Sequence, residues 1–146
     1  MKKTTLLLFL ILSISGCSTS GTGQKDAMLQ VSDGIVQSEK FGLMWQQNES
    51  KLFSSAEAAQ KYADNLTLGG FTDWRIPTKS ESHNLYFSLD FGETMAKDLN
   101  MKMDRALWVQ FTNGELVPGI WDSGEGCCII RTFIKDKRAR VRAVRP

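Results

Sequence analysis

The chain has 146 residues, of which 42% are hydrophobic and 23% are charged, values ordinary for one globular domain. Its formal net charge of +2 at pH 7 comes from Lys2 and Lys3, because the rest of the chain carries equal numbers of basic and acidic residues. This balance argues against a partner held by overall charge, such as nucleic acid. Basic residues nevertheless concentrate in residues 131–146, where seven of them accompany a single acid, Asp136.

Residues 1–16 have the layout of a secretory signal peptide. Met-Lys-Lys precedes an apolar run at 6–14, which is far shorter than the roughly 20 residues of a membrane-spanning helix. The segment ends in Ile14-Ser15-Gly16-Cys17, which resembles a bacterial lipobox with Ile14 where Leu is preferred. This resemblance implies cleavage before Cys17 and its acylation by diacylglycerol and a further chain such as palmitate. An ordinary cleaved signal peptide with a free Cys17 is the alternative.

Ser18 follows the acceptor cysteine, and a residue other than Asp at that position favours sorting to the outer membrane. Residues 18–32 are rich in Ser, Thr, Gly and Gln, which predicts a flexible tether. The chain is therefore predicted to contain a signal peptide (1–16), a lipidated cysteine with its tether (17–32) and one domain (33–146). The lipid anchor would lie in the outer membrane, and the sequence leaves open which side the domain faces.

A hairpin and a helix are predicted at the start of this domain. Two apolar runs in residues 34–45 flank a polar turn at 38–40, which predicts a β-hairpin with Trp45 in the core. Ser54 and Glu57 have the spacing of a capping box, with Ser54 as N-cap, and predict a helix to about Leu66. Gly69-Gly70 predicts a left-handed stop after it. The helix has one apolar stripe, formed by Ala59, Tyr62, Ala63 and Leu66.

Residues 69–78 join this helix to a second one. Core anchors are predicted at Phe71, Trp74 and Ile76, an Asx-type turn is predicted at Asp73, and Arg75 is expected to pair with a carboxylate or backbone carbonyls.

A second capping box predicts the second helix. Thr78 directly follows Pro77, Glu81 lies three residues after Thr78, and the helix is predicted to reach Ser88 or Leu89.

The C-terminal half is predicted to be mostly antiparallel strands. Residues 91–105 show no clear period and predict a long loop, whereas 106–120 alternate around Asn113-Gly114 and predict a hairpin. A further strand is predicted at 129–134. In residues 138–144 the alternation places Ala139, Val141 and Ala143 inward and the intervening arginines outward. The order of elements predicts an α+β fold with two helices packed on antiparallel sheet.

Four segments of the domain resemble the Lcl C-terminal domain family, the C-terminal domain of a bacterial collagen-like adhesin. They are residues 41–46, 62–66, 141–145 and the specific motif 69–78, and the resemblance covers about residues 33–146. It implies a C-type-lectin-like fold, related to the formylglycine-generating-enzyme fold. It also implies binding of sulfated glycosaminoglycans by trimers, as in the family's named member.

The chain departs from the family pattern at three places. Many members have cysteines where this chain has Ala63 and Ala143, so that bridge is absent. A Trp-Ser-Ser segment is missing or shortened around 95–104, and no collagen-like repeat is present. These departures weaken the expectation of multivalent, trimeric adhesion.

No metal, cofactor or catalytic residue is predicted. His83 is the single histidine, lies mid-helix beside Glu81 and is expected to be structural or exposed. The chain lacks the Glu-Pro-Asn, Gln-Pro-Asp and Trp-Asn-Asp motifs with which calcium-dependent lectins bind sugars. Asp122 and Glu125 offer oxygen ligands near Trp121, but such ligands are common without a cation.

Cys127 and Cys128 lie together in a Gly-rich loop. A vicinal disulfide, an intermolecular bridge and two thiols are all open in an oxidising compartment. A structural pair is expected, and a catalytic role like that of a formylglycine enzyme is the alternative.

The basic end predicts a binding site for anionic polymers, since arginines on one strand face suit sulfate or phosphate groups. A solvated strand face is the alternative. The candidate ligand-binding residues are Arg131, Lys135, Lys137, Arg138, Arg140 and Arg142.

The sequence predicts a non-enzymatic outer-membrane lipoprotein that binds anionic glycans, either glycosaminoglycan or envelope polysaccharide, in adhesion. One alternative is a structural or assembly lipoprotein of an envelope complex. The other is an enzyme on a formylglycine-generating-like scaffold.

Overall fold

A computed structural model of the chain describes residues 26–91, 98–122 and 131–146. The predicted signal peptide, Cys17, Glu125 and the pair Cys127 and Cys128 lie outside these residues. Within the described ranges, no helix combines the length and apolar character needed to cross a membrane.

The first sheet has four antiparallel strands in the order β1-β2-β3-β7. They are β1 (Met28–Ser32), β2 (Ile35–Ser38), β3 (Met44–Gln46) and β7 (Val144–Arg145). The predicted hairpin is confirmed, because β2 pairs with β3 over three residues. Trp45 lies in the core as predicted, with 2% of its surface exposed.

Strand β1 corrects the predicted boundary of the tether. Residues 28–32 were expected to be flexible, but they pair with β2, and Met28 is buried against the same core cluster as Trp45. Asp26 holds the residues before β1 against β2 and the second helix, because its carboxylate accepts hydrogen bonds from Ser38 Oγ at 2.7 Å and Ser88 Oγ at 2.8 Å. The folded domain therefore includes Asp26 and strand β1.

Helix α1 (Ala56–Asp64) begins one residue later than predicted. Its N-cap is Ser55 and not Ser54, because the extended backbone of Ser55 lets its Oγ accept a hydrogen bond from the Ala58 amide at 3.3 Å. The helix ends two residues before Leu66. The left-handed Gly69-Gly70 pair ends the short 3₁₀ turn that follows (Leu68–Gly70) instead of ending α1 itself.

Helix α2 (Lys79–Phe91) confirms its predicted capping box and extends slightly further than expected. The Glu81 amide donates to Thr78 Oγ1 at 3.2 Å, and the Thr78 amide donates to Glu81 Oε2 at 2.8 Å. Arg75 donates two hydrogen bonds to the same carboxylate at 2.8 and 2.7 Å, which confirms its predicted pairing. Burial raises the pKa of Glu81, but the hydrogen bonds from Arg75 and Thr78 lower it more.

The second sheet has the order β4-β5-β6 and is antiparallel. Its strands are β4 (Leu107–Gln110), β5 (Leu116–Asp122) and β6 (Thr132–Lys135). The β4–β5 pairing confirms the predicted hairpin, whose turn contains Gly114 at φ 84°. Strand β6 overlaps the predicted strand at 129–134. Two helices and two antiparallel sheets make a mixed α+β fold, as expected.

The main core cluster forms around the stretch 69–78. Trp74 and Ile76 are buried as predicted, and Trp74 Nε1 donates to the Leu68 carbonyl at 3.1 Å. Phe71 is only half-buried, and its ring centroid lies 3.9 Å from Cζ of Arg145. The other buried members of this cluster are Ile35, Ala59, Ala63, Trp108, Ala139, Val141 and Ala143.

The closing segment, residues 138–145, is joined to the stretch 69–78 by a salt bridge. Asp73, predicted for an Asx-type turn, accepts hydrogen bonds from Arg145 Nε at 2.6 Å and Nη2 at 3.0 Å. Backbone hydrogen bonds between Arg75 and Val144 run in both directions beside it. Pro77 is fully buried close by in the chain.

The two glycines of the 3₁₀ turn make a matched test of this packing. Both have left-handed φ, but a Cβ on Gly69 would lie 2.4 Å from Ile35 Cδ1, whereas a Cβ on Gly70 would meet nothing within 4 Å. We expect Gly69→Ala to lower the free energy of unfolding by about 3 kcal/mol, through backbone strain and overpacking together. Gly70→Ala should cost only about 1 kcal/mol, from strain alone. Equal losses in denaturant titrations would contradict the close packing of the turn on β2.

Candidate functional site

The structure does not place the six predicted basic residues on one surface. Arg142 was predicted to face outward, but only 3% of its surface is exposed. Residues 138–143 do not form the continuous strand that was predicted, since Ala139 and Arg140 make only isolated bridges and β7 begins at Val144. The predicted inward positions Ala139, Val141 and Ala143 are still all buried. Arg142 is nevertheless enclosed because the loop that carries Lys102 lies against the other side of the closing segment. The prediction that Arg142 faces outward is therefore wrong.

Arg142 donates hydrogen bonds to four groups from two other parts of the chain. They are the carbonyl oxygens of Gln46 at 3.0 Å, Gln47, and Lys102 at 2.9 Å, and Glu49 Oε1 at 2.9 Å. Its Nε has no acceptor among the described residues. Burial lowers the pKa of Arg142 and Glu49 opposes this, but a guanidinium stays charged at any physiological pH.

Glu49 is the centre of a cluster of guanidinium groups. Its side chain is only 9% exposed, and its Oε2 lies 3.9 Å from Arg140 Nε and 4.0 Å from Arg105 Nη1. Arg140 also donates to the Ser50 carbonyl at 2.7 Å. One carboxylate thus faces three guanidiniums, of which Arg142 is hydrogen-bonded to it. The cluster carries excess positive charge that is available to an anion.

Two adjoining hollows open on this cluster. One has a volume of about 360 Å³, and the other, of about 400 Å³, continues from it past Asp104, Arg105 and Arg140. Both volumes lie within the roughly 300–1,000 Å³ of small-molecule sites. We call the two hollows together the basic groove; its charged lining is Glu49, Lys102, Asp104, Arg105, Asp136, Arg138, Arg140 and Arg142.

The other three predicted residues lie elsewhere. Arg131 is 4.9 Å from the ring centroid of Phe87 and 5.7 Å from that of Tyr86, on helix α2. Lys135 lies 5.7 Å from the Phe111 ring, and Lys137 is exposed. None of the three is among the residues that line the basic groove. The site therefore contains three residues of the predicted set, Arg138 and Arg140 at its surface and Arg142 beneath them.

Two members of the guanidinium cluster, Glu49 and Arg105, were not predicted, and neither were Lys102, Asp104 and Asp136 of the groove lining. Arg105 ends the stretch that shows no clear periodicity, and Glu49 lies in the polar run Gln-Gln-Asn-Glu. No local pattern marks either residue, because the arginines reach Glu49 only from positions far away in the sequence.

His83 forms part of an aromatic cluster. Its ring packs edge-on against Trp121 with centroids 4.8 Å apart. Burial, followed by the charges of Arg131 and Lys79, lowers its pKa. Among residues 26–91, 98–122 and 131–146, no group of three or more His, Cys, Asp or Glu side chains is arranged to hold a metal ion.

Comparison of the chain with protein-family models, curated proteins and solved structures finds no match. The resemblance to the Lcl C-terminal domain family therefore stays a prediction. The structure itself defines an α+β domain with a groove that is chemically suited to anions.

The buried pair of Glu49 and Arg142 can be tested by removing one charge. Glu49→Gln leaves a buried guanidinium without its counter-ion, and we expect the free energy of unfolding to fall by about 3 kcal/mol. The control Glu39→Gln removes the same charge from an exposed residue and should change the free energy of unfolding by less than about 0.5 kcal/mol. Similar losses in the two variants would contradict the central role of Glu49.

Proposed function

We propose that this protein is a non-enzymatic outer-membrane lipoprotein with a lectin-like domain that binds anionic glycans in adhesion. The ligand class is sulfated glycosaminoglycan or an acidic polysaccharide of the bacterial envelope. The observation that carries the proposal is the open groove in which Arg105, Arg140 and Arg142 surround Glu49.

Exposure decides which of these arginines meets a ligand. The side chain of Arg105 is 60% exposed and that of Arg140 is 31% exposed, and Arg138 is also exposed along the same groove. A planar guanidinium binds sulfate or carboxylate through two parallel hydrogen bonds, so these side chains suit an acidic sugar. Arg142 supports them from below, as a fixed charge whose position the backbone carbonyls determine.

The lipoprotein and lectin-like parts of the proposal come from the sequence. The lipobox-like ending at Cys17 supports the anchor, and the motif at 69–78 supports the C-type-lectin-like assignment. Two helices with two antiparallel sheets are compatible with that assignment.

One observation favours the alternative of an assembly lipoprotein. Strand β1 lies at the edge of its sheet and exposes Leu29 and Val31, by 39% and 45%. An exposed edge strand with apolar side chains can add a strand from a partner protein. In that case the domain would join an envelope complex through β1, and the basic groove would have no glycan ligand.

Retention on a heparin column tests the glycan proposal directly. The full-length protein, purified in detergent, should bind and elute at a defined salt concentration, because salt screens its ionic contacts. In the double variant Arg105→Ala/Arg138→Ala we expect elution at clearly lower salt, since two exposed charges of the groove are removed.

A variant with the same loss of charge elsewhere is the control. Lys40 and Lys61 are exposed and line neither hollow of the basic groove. Lys40→Ala/Lys61→Ala should elute close to the unchanged protein. Equal shifts for both double variants would show retention by net charge alone and would contradict the site. A wild-type protein that is not retained would favour the assembly alternative.

A further inference from the structure

A third hollow adjoins the basic groove and differs from it in chemistry. Its volume is about 370 Å³, and it shares Lys102, Asp104 and Ile120 with the basic groove. We call it the aromatic hollow; its remaining lining residues are Tyr86, Leu89, Met101, Met103, Trp121 and Asp122. The two sites therefore form one continuous surface, apolar and aromatic at one end and basic at the other.

The two rings of the aromatic hollow come from different elements. Tyr86 lies on α2 and Trp121 lies on β5, and both are half-buried. Trp121 is held in place on several sides: its Nε1 donates to Ser82 Oγ at 3.0 Å, and its ring packs edge-on against His83 at 4.8 Å and Phe133 at 5.2 Å. A ring fixed in this way loses little entropy when a ligand stacks on it.

The lining of the aromatic hollow indicates which ligand it suits. Rings and methionine side chains provide an apolar surface, while Lys102, Asp104 and Asp122 provide charged groups beside it. An acyl chain would cover the charged groups of Lys102 and Asp104 without offering them a hydrogen bond, which is unfavourable. A sugar ring has C–H faces that pack on aromatic rings and hydroxyls at its edge that donate to carboxylates.

The charge of this continuous surface changes along its length. In the aromatic hollow Asp104 and Asp122 offset Lys102, whereas arginines outnumber the acidic residues in the basic groove. A sugar ring with its hydroxyls therefore suits the aromatic hollow, and the negative group of the next unit suits the basic groove.

We propose that the aromatic hollow and the basic groove together bind one acidic oligosaccharide of at least two sugar units. One ring packs against Tyr86 and Trp121, and the sulfate or carboxylate of the next unit binds Arg105 and Arg140. This inference rests on the proposed function and deepens it, because it assigns the contact that distinguishes a glycan from any other polyanion.

Two probes and two variants test this assignment by isothermal titration of the full-length protein in detergent. A heparin-derived tetrasaccharide has both sugar rings and sulfates, whereas inorganic triphosphate has only the negative charge. Tyr86→Ala should weaken binding of the tetrasaccharide about fivefold to tenfold, the loss of one stacked ring. It should leave the affinity for triphosphate unchanged. Tyr86→Leu keeps an apolar side chain and so preserves the fold, and it should also weaken binding of the tetrasaccharide.

Phe87 provides the matched control on the same helix. It is 48% exposed and contacts Arg131 as Tyr86 does, but it is not among the residues that line the aromatic hollow. Phe87→Ala should therefore bind both probes as the wild-type protein does.

The outcomes separate this inference from the proposed function. If the wild-type protein binds the tetrasaccharide and both Tyr86 variants bind it equally well, the aromatic subsite is wrong and the proposed function stands. Equal weakening of triphosphate binding would also overturn the subsite, because the ring would not be acting on the sugar. A wild-type protein that binds neither probe overturns the proposed function, and the inference with it. Tyr86-dependent binding of anionic phospholipid vesicles would assign an acyl chain to the hollow and overturn the inference.

Discussion

The buried ion pair between Arg142 and Glu49 joins three segments that are far apart in the sequence. Arg142 comes from the closing segment, Glu49 and the carbonyls of Gln46 and Gln47 follow strand β3, and Lys102 comes from the loop before β4. A guanidinium removed from water is costly unless acceptors surround it, so these segments must adopt one arrangement. That arrangement brings Arg105 and Arg140 to the same carboxylate and so creates the basic groove.

The arginines of the closing segment divide into two roles. Arg142 and Arg145 hold the fold, since Arg145 binds Asp73 and lies over Phe71 beside the stretch 69–78. Arg138 and Arg140 turn toward the groove instead. In the proposed function a single basic pattern serves both stability and binding, so removing all its charges would test neither role cleanly.

Local signals in the sequence predicted much of the fold. The second capping box, the hairpin at Asn113-Gly114 and the core position of Trp74 each depend on residues close in sequence, and each is confirmed. Strand β1 was not predicted, because residues 18–32 are rich in polar residues and this short strand is stabilised by tertiary contacts, its pairing with β2 and the burial of Met28. The N-cap of α1 was predicted one residue too early, at Ser54, because only the backbone geometry at the start of the helix shows that Ser55 is the capping residue.

The site was predicted less well than the fold, for a physical reason. Strand alternation assigns one face to the core and the other to solvent, and it fails at Arg142 because a loop covers the second face. Arg105 and Glu49 acquire their roles only through tertiary contacts, and no spacing in the sequence encodes them.

The central claim is that an anion binds between the arginines around Glu49. Two-dimensional NMR of the ¹⁵N-labelled full-length protein in detergent, titrated with heparin tetrasaccharide, tests it most directly through the arginine Nε–Hε resonances. The account predicts saturable shifts for Arg105 and Arg140 with little change for Arg145, whose guanidinium is already paired with Asp73. Shifts of equal size at Arg131 and Arg145, with none stronger at Arg105 and Arg140, would contradict it.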